Sequence, residues 1–176
     1  MRRAARDDLA RLRALIPASS RALLAPYYTA RQIESALASA LGVDTQLVDD
    51  GTFFVAELDR EAVGCGGWSR RRTPFGGDHA PSRDASLLDP QREPARIRAF
   101  FVDPRYARRG IGRSILAACE RDARQAGFGS LELVATLGGE PLYAACGFTA
   151  GERFDVALED GAALPVVRMR KRLPLT

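Results

Sequence analysis

The sequence predicts a mixed α/β fold built around a single sheet. Apolar spacing switches along the chain between helical period and strand alternation, and Gly, Pro and Asp mark the switches. The second half reads strand, helix, strand, helix, strand, strand, with neither a repeat nor a linker. The 176 residues therefore make one domain, 1–176, with 46% hydrophobic and 27% charged residues. Those proportions exclude a disordered chain, a collagen-like fibre and a disulfide-framed miniprotein. No run approaches the roughly 18 apolar residues of a membrane span. Met1 to Asp8 lacks the apolar centre of a secretory signal. Cys65, Cys119 and Cys146 are scattered without metal-ligand spacing, which predicts a reducing cytoplasm, no metal and buried small thiols.

Arg2 to Arg6 reads as a short edge strand. Asp7 or Asp8 can cap a helix that carries Leu9, Leu12, Leu15 and Ile16 on one face and ends at Pro17. A second helix starts at Thr29 and runs through Ile33 and Leu37 to Gly42, giving an N-terminal helical region over about 7–42. Thr52 to Leu58 and Ala62 to Arg70 are strand-like runs with Asp59-Arg60-Glu61 as their turn. Arg71 to Pro94 is a long loop rich in Gly, Pro, Asp and Arg. Ala95 to Val102 is a strand stopped by Asp103-Pro104. From Gly110 the spacing Ile111, Ile115, Leu116, Cys119, Ala123, Ala126 is helical, and Gly127 stops it. Then come a strand at Leu131 to Ala135, a short helix at Pro141 to Cys146, and strands at Phe148 to Leu158 and Leu164 to Leu173.

All basic residues but Lys171 are arginine, and the net charge of +4 favours an anionic partner. One cluster is Arg70, Arg71 and Arg72; the other is Arg105, Arg108, Arg109 and Arg113. The second stands where a strand turns through Pro104 and two glycines into a helix. Helix-start N–H groups lack partners, Gly110 and Gly112 admit a bulky group to the main chain, and the arginines add charge. Such a turn suits a pyrophosphate. A dinucleotide fold would put a third glycine where Ile115 stands, a nucleotide P-loop needs Gly-Lys-Ser/Thr, and a plain strand-to-helix turn with solvated arginines has the same outline.

Ala107-Arg108-Arg109-Gly110-Ile111-Gly112 resembles the pyrophosphate loop, Arg/Gln-x-x-Gly-x-Gly/Ala, of the GNAT family of acyl-CoA-dependent N-acyltransferases. Ala107 departs from that pattern, and Arg108, Arg109 or Arg113 can supply the charge. Pro141-Leu142-Tyr143-Ala144-Ala145-Cys146-Gly147-Phe148 is similar to the family's Leu-Tyr-x-x-x-Gly-Phe signature, at a separation that fits one helix and one strand. The resemblance implies a mixed sheet splayed between two parallel strands, Arg96–Val102 and Leu131–Thr136, with the CoA-binding core at about 95–148. It implies acetyl-CoA as cosubstrate, its pantetheine bonded to the backbones of Phe100, Phe101 and Val102. Its phosphates would lie at Ala107, Arg108, Arg109, Gly110, Ile111, Gly112 and Arg113. Tyr143 would protonate the departing thiolate, and a backbone N–H would stabilise the oxyanion. Transfer would be direct, to a primary amine of a small molecule.

Family members often place a carboxylate base just before the Phe-Phe-Val segment, where this chain has Arg98-Ala99. Glu57, His79, Asp84, Glu93 or a water chain are the candidates instead. Tyr27, Tyr28, Trp68 and Arg70 are the candidate acceptor residues. If Arg70 to Arg72 face the cleft, the acceptor carries a carboxylate or a phosphate. One rival reading is an acyl-CoA-binding regulatory module without catalysis. Another is a nucleic-acid binder, which lacks interleaved aromatics and a recognisable module; the reading here has no nucleic-acid and no membrane partner. Similar proteins commonly dimerise through their final strands, so a homodimer is possible on that analogy.

Overall fold

The computed structural model describes residues 1–80 and 83–174. Among them, seven strands form one sheet in the order β1-β2-β3-β4-β5-β7-β6. These are β1 (Arg2–Arg3), β2 (Phe53–Leu58), β3 (Glu61–Ser69), β4 (Ala95–Val102), β5 (Ser130–Thr136), β6 (Thr149–Ala157) and β7 (Ala163–Arg172). Every neighbouring pair is antiparallel except β4 and β5, the two strands joined by a helical crossover. The helices are α1 (Leu9–Leu24), α2 (Ala30–Ser39), α3 (Thr45–Asp49), α4 (Ile111–Gln125) and α5 (Glu140–Ala145).

One expectation fails at α1. Instead of ending at Pro17, the helix continues to Leu24 with Pro17 inside it. Proline removes one backbone donor, but Ile16 before it and Ser19, Ser20 and Leu24 beyond it are all buried, and burial outweighs the lost bond. The α2 start agrees with the sequence: Thr29 and Gln32 form a reciprocal capping box. The predicted run to Gly42 stops short, at Ser39, and α3 is an element the apolar spacing did not announce. Its cap is Asp44, whose carboxylate accepts from Leu47 N–H.

The β2–β3 turn is Asp59-Arg60, with both φ angles positive at 48° and 66°, the hand that matches strand twist. Among its described residues, the long loop is irregular apart from a single bridge between Arg71 and Leu87. On one face of the sheet, α4 buries Ile115, Leu116 and Cys119 with Val63, Trp68, Ile97 and Leu133. On the other, α1 and α3 bury Leu12, Ile16 and Leu47 against Phe53, Val55 and Cys65. A third cluster packs Ile33 and Ala36 of α2 with Leu164 and Val166 of β7. The first two layers determine what can stand on either side of β4.

Candidate active site

The parallel pair does not stay paired. Only Ala95 with Leu131 and Arg96 with Glu132 are in register, after which β4 and β5 separate. Glu132 holds the closed end, accepting from Arg96 and, at 2.6 Å, from Arg170. Beyond it lies a cavity of about 220 Å³ between the strands. Ile97 to Val102 line one wall and Val134 to Thr136 the other; Ser19, Ser20, Leu23 and Leu24 close it from α1. Gly112 and Tyr143 stand at the α4–α5 end, and Phe75 to Gly77 at the loop end.

A bulge in β4 shapes that wall. Cys65 pairs with Phe101 and Gly67 with Arg98, so β4 carries one extra residue, and Ala99 adopts φ of 57°. The bulge interrupts side-chain alternation. Phe100 packs with the α4-side core, whereas Ala99 and Phe101 both pack on the α1 side. The Phe100 ring fills the space beside Gly66, where a Cβ would come within 2.6 Å of it. The N–H of Val102 is already engaged, donating to Ser19 Oγ at 3.1 Å.

After β4, a 3-10 turn at Pro104–Tyr106 leads to the start of α4. Arg108 and Gly110 have φ of 64° and 84°, a left-handed alternation that turns successive N–H groups the same way. The first bond of the helix is Ser114 N–H to Gly110 O at 3.0 Å, so the N–H groups from Arg108 to Arg113 have no backbone acceptor among the described residues. Gly112 lies against Leu142: a Cβ there would be 2.9 Å from Leu142 Cδ2, so that side chain would have to shift. Among the described residues Arg108, Arg109 and Arg113 form no ion pair, while Arg105 is held by Asp103 and Glu61. The second arginine cluster therefore offers those three cations, without Arg105. Such a group of free N–H donors and cations fits a pyrophosphate.

Tyr143 is buried between Phe100 and Phe148, edge to face with both at 5.9 and 5.8 Å between centroids. Its hydroxyl has no hydrogen-bond partner among the described residues. Burial pushes the phenol above its ordinary range, so it stays a proton donor at neutral pH.

The sequence profile described as the Acetyltransferase (GNAT) family matches residues 16–148. The chain belongs to that family. The fold is shared with solved GNAT structures of low sequence identity. A GCN5-related N-acetyltransferase from Rhodopseudomonas palustris is 24% identical, with TM-score 0.73, covering 98% of this chain and 94% of that one. The PaiA N-acetyltransferase from Thermoplasma acidophilum, solved with coenzyme A, is 16% identical, with TM-score 0.65 and coverage of 98% and 97%. The putative acetyltransferase YncA from Salmonella typhimurium, solved with acetyl-CoA, is 19% identical, with TM-score 0.65 and coverage of 99% and 94%. No curated protein matches the chain in sequence.

In this GNAT-family chain the predicted residues divide. Phe100, Phe101, Val102, Gly112 and Tyr143 line the cavity, while Ala107 to Ile111 and Arg113 lie outside its lining on the adjoining turn. Of the acceptor candidates, Trp68, Tyr28 and Arg70 are corrected, and Tyr27 stays at the rim. Trp68 is core, its indole donating to Asp122 at 2.8 Å, and the room beside it is taken by Phe100. Tyr28 is a buried tie: its hydroxyl donates to Pro165 O at 2.7 Å and accepts from Leu137 N–H at 2.8 Å. Tyr27 is exposed and packs beside Gly138, at the rim. Arg70 and Arg71 turn to Asp50 and Arg72 to Glu93, so this cluster faces away from the cavity.

The predicted bases are elsewhere as well. The carboxylate of Glu57 accepts from Arg2, that of Asp84 from Ser86, and that of Glu93 from Arg72. His79 packs on Gly42 beside a neighbouring cavity. Among the described residues, no carboxylate or imidazole lines the central cavity. Cys65 and Cys119 are buried, with burial pushing the Cys65 thiol up to about 12, but Cys146 is only half-buried. The sequence reading missed Ser19, Ser20 and Arg98 as cavity residues. The spacing of Ile16, Ser19, Ser20 and Leu23 continued the helical face past Pro17 and was the available signal for the serines.

Proposed function

We propose that the protein transfers an acetyl group from acetyl-CoA directly to a primary amine of a small molecule. The observation that carries this reading is the wedge between β4 and β5, with the free Tyr143 hydroxyl at one side of it and unpaired N–H groups beyond. Acetyl-CoA would supply the activated acyl thioester. The turn from Ala107 to Arg113 would hold its phosphates, and the backbone from Phe100 to Val102 would bond its pantetheine as an added strand does. The Val102 N–H would then exchange Ser19 for the ligand. A β4 N–H at the bulge would polarise the acyl carbonyl, and Tyr143 would return a proton to the leaving sulfur. Because no carboxylate among the described residues lines the cavity, the amine would enter neutral or lose its proton through water.

Calorimetric titration with acetyl-CoA, followed by a thiol-release assay over an amine panel, tests the reading. Binding with release on one class of amine supports it. The missing base favours a second reading, an acyl-CoA-binding module without catalysis, and tight binding with no release on any amine would select it.

A further inference from the structure

We infer that the acceptor carries a carboxylate beside its amine, and that Arg98 and Ser20 receive it; this rests on the acetyl-transfer reading above. Arg98 lies in the middle of β4 with its side chain inaccessible to solvent. Its Nη2 donates to Asp44 and, at 2.9 Å, to the carbonyl of Gly76, a glycine that itself lines the cavity. Among the described residues Arg98 Nε and Nη1 have no partner. Ser20, 1% exposed, lines the same cavity from α1, and its hydroxyl has no partner either. A buried donor without an acceptor is costly, more so on a charged group, and here two such groups border one cavity. An incoming carboxylate would satisfy both.

The surrounding charge is balanced before the ligand enters. Asp44 is shared between Arg98 and Arg83, which bonds it at 3.0 Å. Asp78, whose carboxylate accepts from Thr45, also faces Arg98 electrostatically. The unpaired donors, rather than a net charge, are therefore what would recruit a carboxylate.

The experiment is thiol release from acetyl-CoA across the L-amino acids, each run beside its carboxamide and its decarboxylated amine. At least one acid should be turned over with kcat/KM about 100-fold above both analogues, because the analogue leaves charged donors unpaired. Ser20→Ala should narrow that ratio about tenfold through KM for the acid, and Arg98→Gln should abolish it. Should Arg98→Gln not fold, the wild-type and Ser20→Ala ratios still decide. Carboxamides or simple amines turned over as well as the acids would overturn the inference and leave the transferase reading standing. So would an acid preference that Ser20→Ala and folded Arg98→Gln both leave intact. No release on any amine, with acetyl-CoA bound by calorimetry, would instead remove the transferase reading and this inference with it.

Discussion

Arg98 and Asp44 form an ion pair with both side chains closed to solvent, although 54 residues separate them in sequence. The pair ties the middle of β4 to the cap of α3, and Arg83 joins it from the long loop. Charges removed from water need full partnering, and removing one member leaves the others exposed to a low dielectric.

Asp44→Ala should therefore be strongly destabilising. It strips two guanidinium groups of their carboxylate and removes the α3 cap, for a loss of about 3–5 kcal/mol. Urea unfolding followed by circular dichroism measures it; a midpoint within error of wild type would contradict the account. Asp44→Asn, which keeps an acceptor for capping, should lose less.

Tyr143→Phe keeps the edge-to-face packing on Phe100 and Phe148 and deletes only the hydroxyl. We expect kcat to fall about 100-fold, with acetyl-CoA affinity held within about twofold. Because burial raises the phenol pKa, ionisation of Tyr143 should not limit wild-type activity below the ordinary phenol value of about 10. An alkaline decline near pH 8 that vanishes in Tyr143→Phe would refute that.

The arginines near the α4 turn should separate by their pairing. Arg109→Ala and Arg113→Ala should each weaken coenzyme A binding about 3- to 10-fold, an effect that shrinks as salt is raised. Arg105→Ala, whose guanidinium is already engaged by Asp103 and Glu61, should change affinity little. Titrations at two ionic strengths would show it, and equal losses for all three would count against the assignment.

Asp160 links the β6–β7 turn to α2 through Ser35 and Arg31. Those bonds hold its carboxyl at about 2, below the ordinary 3.8. A depressed folded-state pKa stabilises above the unfolded value and loses that contribution as pH falls through the folded one. Melting temperatures of wild type and Asp160→Asn should thus differ above about pH 4 and converge toward pH 2. A gap constant across that window would mean that the carboxylate charge is not responsible.

What the sequence made legible was local. The turn from Asp103 to Gly112 is written in consecutive residues, and the strand–helix–strand order around it follows from periodicity. The rest depended on partners far along the chain. Trp68 is explained by Asp122, Tyr28 by Pro165 and Leu137, and Arg98 by Asp44. None of these pairings leaves a mark in local spacing. Pro17 misled for the same reason: a strong local stop signal was overruled by burial on both sides of it. The five residues of α3 are too few to develop a period.

The separation of β4 from β5 has a consequence for solubility. Two strands that part company leave ladder donors and acceptors unpaired, which at a sheet margin would template another chain. Here that interior margin lies between strands 4 and 5 of a seven-stranded sheet, roofed by α1, with Ser19 holding the N–H of Val102. A slender polyamide fits such a slot, whereas a neighbouring protein's strand, with side chains on both faces, meets α1 first. On the proposed reading, the protein would keep a hydrogen-bonding edge for its ligand while denying it to a neighbouring chain.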